Sequence, residues 1–404
     1  MTTAFEFGSV EYCLDPYPFY EELARGSGVF KVPGREDYLV TRYEDVVFAA
    51  KHPEMFSNSM PGTTGVEVDG KRCPYVRPVP RYDEPEHGPL RTLAGKAFTA
   101  SRLRAYEPMI QGIVDGLIDK FAGRGSVEFI TEFSQPLPMM VICTALGFPL
   151  ERIDDYRRWS DDYTIAQSGY YPGMTDDQIV EVKRSVMELH EFLSDEIEAR
   201  TANPTTDVLS EVIDSQEELG VDLSRLELMG IGLSLLIAGN ETTTHMLGNL
   251  MHRLVTNPSE LQRAVENPER TRKIVEESLR IDTPAQWMPR TCVQDREVAG
   301  VTIPAGARVM LIFGAANRDQ EIFPDAATFN SQRDNLNRQL AFGSGPHFCI
   351  GAPLARLEGK LAFTALLTRL PNLRLDPNAP EPRRFPSLVV RGMEELNLLF
   401  DPTT

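Results

Sequence analysis

Apolar residues recur at three- and four-residue intervals through most of the stretch from Leu90 to about Pro284, and that period predicts a body made overwhelmingly of helices. The flanks read differently. Phe19-Tyr20-Glu21-Glu22-Leu23 has helical spacing, and two short strand-like runs follow, Gly28 to Val32 and Asp37 to Thr41, before another helix from Glu44. Residues 58 to 86 are rich in glycine and proline with little periodicity, which predicts a long loop. Residues 290 to 313 turn β-like, with Gly300 and Pro304-Ala305-Gly306 as turn signals. A helix is expected from just after Cys349 to about Leu370, and a strand-like segment from Ser387 to Phe400. The expected fold class is mainly α with a smaller β portion drawn from both ends of one domain spanning 1–404. The β-rich part comes from about 1–45, 286–340 and 376–404, and the helical part from about 80–285 and 350–375.

Two helices carry groups with chemical potential. Asp222 can cap a helix running to Asn257-Pro258, about 50 Å long at about 1.5 Å per residue. At its centre stands Ala238-Gly239-Asn240-Glu241-Thr242-Thr243-Thr244, a glycine and three β-branched hydroxyl residues that weaken a helix. Either the helix is distorted there beside a ligand, or small residues let another helix approach. A second helix, Thr271 to Ile281, places Glu277 and Arg280 three residues apart on one face, where they can pair.

Composition narrows the function. With 41 basic and 59 acidic residues the net charge is −18, which argues against a nucleic-acid binder while leaving room for a small basic docking face. The amino-terminal residues show no basic region followed by an apolar run, and the most apolar stretch, Leu226 to Ala238, is too short to span a bilayer. A cytoplasmic, membrane-free protein is expected, with a monomer as the default. Five scattered cysteines without a CxxC pair argue against a zinc site or an iron–sulfur cluster.

One cysteine has unusual neighbours. In Leu340-Ala341-Phe342-Gly343-Ser344-Gly345-Pro346-His347-Phe348-Cys349-Ile350-Gly351-Ala352-Pro353, glycines flank Cys349 on both sides and a helix is expected to follow. Glycines let a backbone approach a bulky planar group, and the positive end of the following helix favours thiolate over thiol. Phe342 and Phe348 can shield such a sulfur. A structural cysteine in a glycine-rich turn is the competing reading, but the full Phe-x-x-Gly-x-x-x-Cys-x-Gly spacing is met.

That segment resembles the haem-binding signature of the cytochrome P450 family, with Phe342, Gly345, Cys349 and Gly351 in register and His347 at a position that is Arg or His in the family. Ala238-Gly239-Asn240-Glu241-Thr242-Thr243 resembles the family's oxygen-activation motif, Glu277-Ser278-Leu279-Arg280 its Glu-x-x-Arg pair, and His87-Gly88-Pro89-Leu90-Arg91 its His-x-x-x-Arg segment. Asp83-Glu84-Pro85-Glu86-His87 and Val390-Arg391-Gly392 fit the bacterial branch, so the resemblance covers essentially the whole chain. It implies haem b ligated by Cys349 and contacted by Ala238, Gly239, Phe342, Gly343 and Gly351, with the propionates met by His87, Arg91, Arg290 and His347. It assigns proton delivery during O2 activation to the acid–alcohol pair Glu241 and Thr242. Glu277 and Arg280 become a structural pair, with Arg338 as its expected third member.

The resemblance also implies a lipophilic substrate, facing Ser234, Ile237 and Ala238, then Ala285, Gln286 and Met288, and finally Val389 and Val390, with lid-like walls from residues 58 to 80 and 163 to 175. Trp287 is more simply packing, and Arg77 more simply solvated. No reductase segment is visible, so electrons from NAD(P)H would arrive through a reductase and a separate ferredoxin or flavodoxin, docking near Arg102, Arg104, Arg356 and Lys360. The implied reaction is hydroxylation or a related oxidation by a haem-thiolate monooxygenase. A peroxide-driven peroxygenase, a non-catalytic haem sensor or carrier, and a haem-thiolate isomerisation or ring coupling are the alternatives. The acid–alcohol pair disfavours the first two, because neither needs protons delivered to O2.

Overall fold

The computed structural model describes residues 6–60, 64–168 and 174–403. Its backbone divides into two compact units. The first comprises Met1–Asn58, Ile110–Pro136 and Thr242–Thr404, and the second Ser59–Met109 and Leu137–Glu241.

The first unit is organised on a five-stranded sheet in the order Val29–Lys31, Asp37–Val40, Arg308–Leu311, Met288–Cys292, Phe56–Ser57. Asp37–Val40 and Arg308–Leu311 run parallel, and the other neighbours are antiparallel. Chain segments 271 residues apart therefore share one hydrogen-bonded ladder, fastened by Arg308, whose Nε and Nη2 donate to Asp37 at 2.8 and 2.7 Å. Side chains alternate between two apolar layers, as a pleated strand requires. Val40, Val309 and Leu311 join Phe56 and Phe323 on one face, while Leu39, Met310 and Ile312 join Tyr12 and Phe19 on the other. Each such fully buried side chain contributes about 1.5–3 kcal/mol.

A buried ionic knot ties four distant segments of this unit. Asp282, fully buried, accepts from Arg253 Nε at 2.5 Å and Arg391 Nε at 3.0 Å, with Arg318 at 3.6 Å and Arg384 at 3.7 Å. Burial alone would raise its carboxyl, but the guanidiniums of Arg384, Arg253 and Arg391 hold it well below the usual carboxylate range. The Tyr17 ring lies 3.2 Å from the Arg318 guanidinium and 4.7 Å from that of Arg391. Gly392 follows at a point with no room for a side chain, since a Cβ there would stand 1.8 Å from His245 Nδ1.

The second unit is helical. Helices Ile153–Ser168 and Asp176–Ala202 pack through Trp159, Tyr156 and Phe148 around Phe192, with ring centroids 5.2, 5.3 and 4.9 Å away. A reciprocal Thr175–Gln178 capping box starts the longer helix. The region expected to be a long loop holds a hairpin, Val66–Val68 with Lys71–Cys73, among its described residues. That hairpin is fastened to the longer helix by Arg184 on Asp69 (2.8 and 3.2 Å) and by Cys73 Sγ against His190 Nδ1 (3.1 Å). The hairpin's own pairing is local, and it turns at Asp69-Gly70, where both residues have left-handed backbones (φ 53° and 71°), an Asp-Gly turn signal within the expected loop. Residues 61–63 and 169–173 of the two expected lid walls lie outside the described residues.

The long central helix spans Arg225–Val255, unbroken through Ala238–Thr244, so the expected distortion does not interrupt it. Its cap is not Asp222 but Ser224. The Ser224 hydroxyl accepts from Glu227 N at 3.3 Å, and the Glu227 carboxylate accepts from Ser224 N at 2.8 Å. The helix after Cys349 spans Ala352–Arg369, and the helix Thr271–Ile281 has the predicted bounds. One short strand, Ser126–Glu128, interrupts the helical region because it pairs with Asn397–Leu399 near the carboxyl end. Among the described residues no helix is long and apolar enough to cross a membrane.

Candidate functional site

Within the first unit, the cysteine segment is a short, tightly bonded loop. Gly343 N donates to Leu340 O at 2.8 Å, Phe348 N to Gly345 O at 3.0 Å, and Cys349 N to Phe342 O at 2.9 Å. Gly343 and Gly345 both have left-handed backbones, φ 72° and 73°. A Cβ on Gly345 would also stand 2.6 Å from Ala50 O, so this glycine is required twice over. The helix Ala352–Arg369 begins three residues after Cys349, and its first N–H, on Ala352, donates to Cys349 O at 3.4 Å.

Cys349 differs in surroundings from the other four cysteines. Cys143 and Cys292 are buried, Cys13 and Cys73 are half-buried, and Cys349 is exposed. Burial pushes the Cys143 thiol up to about 12 and those of Cys13, Cys73 and Cys292 upward as well, so these four favour the inert thiol. The accessible sulfur, the glycine backbone and the helix start together fit a thiolate ligand to a haem iron. Nearby, Phe342 and Phe348 rings lie 6.4 Å apart. Arg290, 6% exposed on the strand Met288–Cys292, donates from Nη1 to Pro289 O at 2.8 Å. His347 closes the 3-10 turn Gly345–His347.

The Glu-x-x-Arg pair is buried and bidentate. Arg280 Nε and Nη2 donate to the two oxygens of Glu277, both at 2.7 Å, with neither side chain exposed. Its third member is Arg333, whose Nε reaches Glu277 at 3.2 Å. The expected member, Arg338, instead pairs with exposed Glu44 at 3.3 Å and lies over the Tyr43 ring. Both arginines sit in an irregular stretch where no periodicity marks which one turns inward.

Within the second unit, His87 and Arg91 lie one turn apart on the helix His87–Gly95. His87 is 2% exposed beside Glu84, at 3.6 Å, and burial followed by the Arg91 charge lowers its proton affinity. On the central helix Ala238 is exposed, and Ile237 and Gly239 are half-buried. Glu241 accepts from the Thr164 hydroxyl at 3.1 Å, and its neighbour Asn240 donates to Ser160 Oγ at 3.4 Å. Ser160 and Thr164 are one turn apart on Ile153–Ser168, and the sequence reading missed both. Thr242 is the next residue of the helix and half-buried.

Several expected substrate-facing residues are used internally. The Ser234 hydroxyl donates to Gly230 O at 2.6 Å and accepts from Val79 N at 2.8 Å. Gln286 is 2% exposed, and its amide donates to Thr283 O at 2.6 Å and Tyr17 Oη at 3.4 Å, so it offers a ligand no surface. Ala285 and Val390 face each other in a buried antiparallel bridge. Met288 is 41% exposed, and Val389 half-buried. Trp287 is core packing, with Nε1 on Leu388 O at 2.7 Å, and Arg77 is bound to Arg81 O rather than solvated. Of the expected docking cations, Arg102 is committed to Glu211 and Arg356 to Glu276, while Arg104 and Lys360 are exposed.

A thiol loop of this construction, a Glu-x-x-Arg pair locked by a second arginine, and an acid and alcohol mid-helix define a haem-thiolate class of oxygenase. Comparison with known proteins agrees: residues 31–400 match the family model described as Cytochrome P450. The vitamin D(3) 25-hydroxylase of Pseudonocardia autotrophica is 34% identical over 395 residues, covering 96% of this chain and 94% of that protein. The 6-deoxyerythronolide B hydroxylase of Saccharopolyspora erythraea is 32% identical over 412 residues, covering 99% and 100%. The crystal structure of cytochrome P450 CYP109Q5 from Chondromyces apiculatus superposes with a TM-score of 0.87 at 34% identity, covering all of both chains. The chain belongs to the cytochrome P450 family and is a monooxygenase of that family, whose members carry haem and use O2 with a redox partner.

Proposed function

We propose that this P450 inserts one oxygen atom from O2 into a steroid-sized lipophilic molecule, acting as one functional domain over 1–404 in the cytoplasm as a monomer. The observation that carries the reading is Cys349, the exposed thiol in a glycine-lined loop at a helix start. Haem b, held through that sulfur, supplies the O–O bond cleavage that no side chain can perform. Everything else is done by the chain. The resemblance gives Arg290 and His347, and likewise His87 and Arg91, as the cationic and N–H donors that would meet haem propionates. Glu241, oriented by Thr164, and Thr242 carry protons inward from solvent.

Substrate size is inferred from relatives. Two are named as a vitamin D(3) 25-hydroxylase and a steroid C26-monooxygenase, and the Bacillus megaterium CYP109E1 structure is a testosterone complex, 30% identical with a TM-score of 0.86. Among the expected substrate-facing residues, Ile237, Ala238, Met288 and Val389 each keep apolar surface. Electrons come from NAD(P)H by way of a reductase and a ferredoxin or flavodoxin; of the expected docking cations, Arg104 and Lys360 are each exposed.

The test is a titration of the ferric holoenzyme with testosterone, vitamin D3 and 6-deoxyerythronolide B, followed by turnover with a surrogate ferredoxin pair. A low- to high-spin Soret shift and a product heavier by one oxygen support the reading. Neither with any of the three overturns the substrate class.

A further inference from the structure

The helix Thr271–Ile281 carries two adjacent glutamates with different partners. Glu277 serves Arg280 and Arg333, as described above. Glu276 is rotated about 100° around the helix and binds both ends of the cysteine segment. Its carboxylate accepts from Arg356 Nε and, at 3.1 Å, from Arg356 Nη2 on the helix Ala352–Arg369. It also accepts from Gln339 Nε2 at 3.0 Å. Gln339 in turn accepts the Ala341 N–H on its Oε1 at 2.6 Å. The Arg356 guanidinium lies 4.4 Å from the centroid of the Phe342 ring.

One half-buried carboxylate thus joins both ends of the stretch 339–356, and Cys349 falls within that stretch of the chain. The Glu276 side chain is 13% exposed and that of Arg356 29%, so the pair is shielded enough to hold its geometry and is not a free surface cation. Arginine is needed here because a planar fork can chelate a carboxylate and cover an aromatic ring at once, which a lysine cannot do.

We propose that Glu276 is a positioning residue for Cys349: by chelating Arg356 and Gln339 it fixes the loop that holds the ligand sulfur and slows conversion of thiolate to protonated thiol. This rests on the reading of Cys349 as the haem ligand. Without the carboxylate, Arg356 loses the partner that keeps it over Phe342. Gln339 then keeps its bond to Ala341 but loses its own anchor. The loop gains freedom while the buried Glu277 pair beneath it is untouched.

The experiment compares wild type, Glu276→Gln, Arg356→Lys, Gln339→Met and, as a control, Arg338→Ala, at the residue beside Gln339 that pairs with Glu44 instead of joining the Glu276 contacts. Each holoenzyme is reduced under carbon monoxide. The decay of the red-shifted, thiolate-type Soret band into the blue-shifted, thiol-type band is timed, and thermal unfolding is measured alongside. Glu276→Gln should decay about tenfold faster than wild type, the effect of losing roughly one charge-assisted hydrogen bond. Arg356→Lys and Gln339→Met should fall between, and Arg338→Ala should match wild type. A wild-type decay rate in Glu276→Gln overturns the proposal. Should that variant fail to take up haem, wild-type rates in both Arg356→Lys and Gln339→Met overturn it instead. A wild-type enzyme with no red-shifted band at all refutes Cys349 ligation, a different result from either.

Discussion

Thr164 donates its hydroxyl to Glu241 Oε2 at 3.1 Å, joining the helix Ile153–Ser168 to the acid at the middle of the central helix. The carboxylate is aimed by a neutral donor, and one turn earlier the direction reverses, with Asn240 donating to Ser160. Two consecutive residues of the central helix are therefore registered against two residues one turn apart on its neighbour.

Removing that donor should slow proton delivery without emptying the site. Thr164→Val is expected to lower the product formed per NAD(P)H severalfold, in line with about 1 kcal/mol for one hydrogen bond. Thr242→Ala is expected to uncouple the enzyme more fully, with NAD(P)H consumed and hydrogen peroxide released. Peroxide and product assays on the two variants check this. Unchanged coupling in Thr242→Ala refutes the proton-delivery role.

Replacing the exposed sulfur tests the ligand directly. Cys349→His should abolish the red-shifted Soret band of the reduced carbonyl complex, while Cys143→Ala, at a buried cysteine, should leave it in place. Absorption spectra of the two purified variants decide.

The corrected triad makes a discriminating pair of stability predictions. Arg333→Leu strips a partner from fully buried Glu277 and should cost about 3 kcal/mol. Arg338→Ala breaks a pair whose side chains are 44% and 74% exposed and should cost less than about 1 kcal/mol. Equal losses in urea unfolding would remove Arg333 from the triad.

Acid should unfold this protein in two stages. Burial pushes His190 and His252 down to about 4, so both stay neutral in the fold while the unfolded chain protonates them below about 6.5. Their contribution is intact above about pH 6.5 and falls away as pH drops toward 4, by about 1–3 kcal/mol each. Asp282, held well below its ordinary value, contributes stability that is present above the unfolded carboxylate range and lost only at still lower pH. Denaturant midpoints measured from pH 7 downward check the order. His190→Gln should flatten the first stage and leave the second.

Asp282→Ala leaves four guanidiniums facing one another without their buried carboxylate and should cost about 3–5 kcal/mol. Thermal unfolding of the variant measures it, and a loss under about 1 kcal/mol would show that Asp282 is not what holds these segments together.

What the sequence determined by itself was local. Helical period placed Thr271–Ile281 at its true bounds, and the glycine pattern around Cys349 announced a loop open to close approach before a helix, because φ preferences and side-chain period act over a few residues. The tertiary structure decided what depends on partners far along the chain. Arg333 rather than Arg338 completes the Glu277 pair, Gln286 and Ser234 spend their polar groups on the protein, and the hairpin that turns at Asp69-Gly70 is fastened to His190 and Arg184. Glu276 and Glu277 stand side by side in sequence, yet one holds the core and the other the cysteine loop. Which face of a helix meets which neighbour is set by packing, and no run of residues read alone contains it.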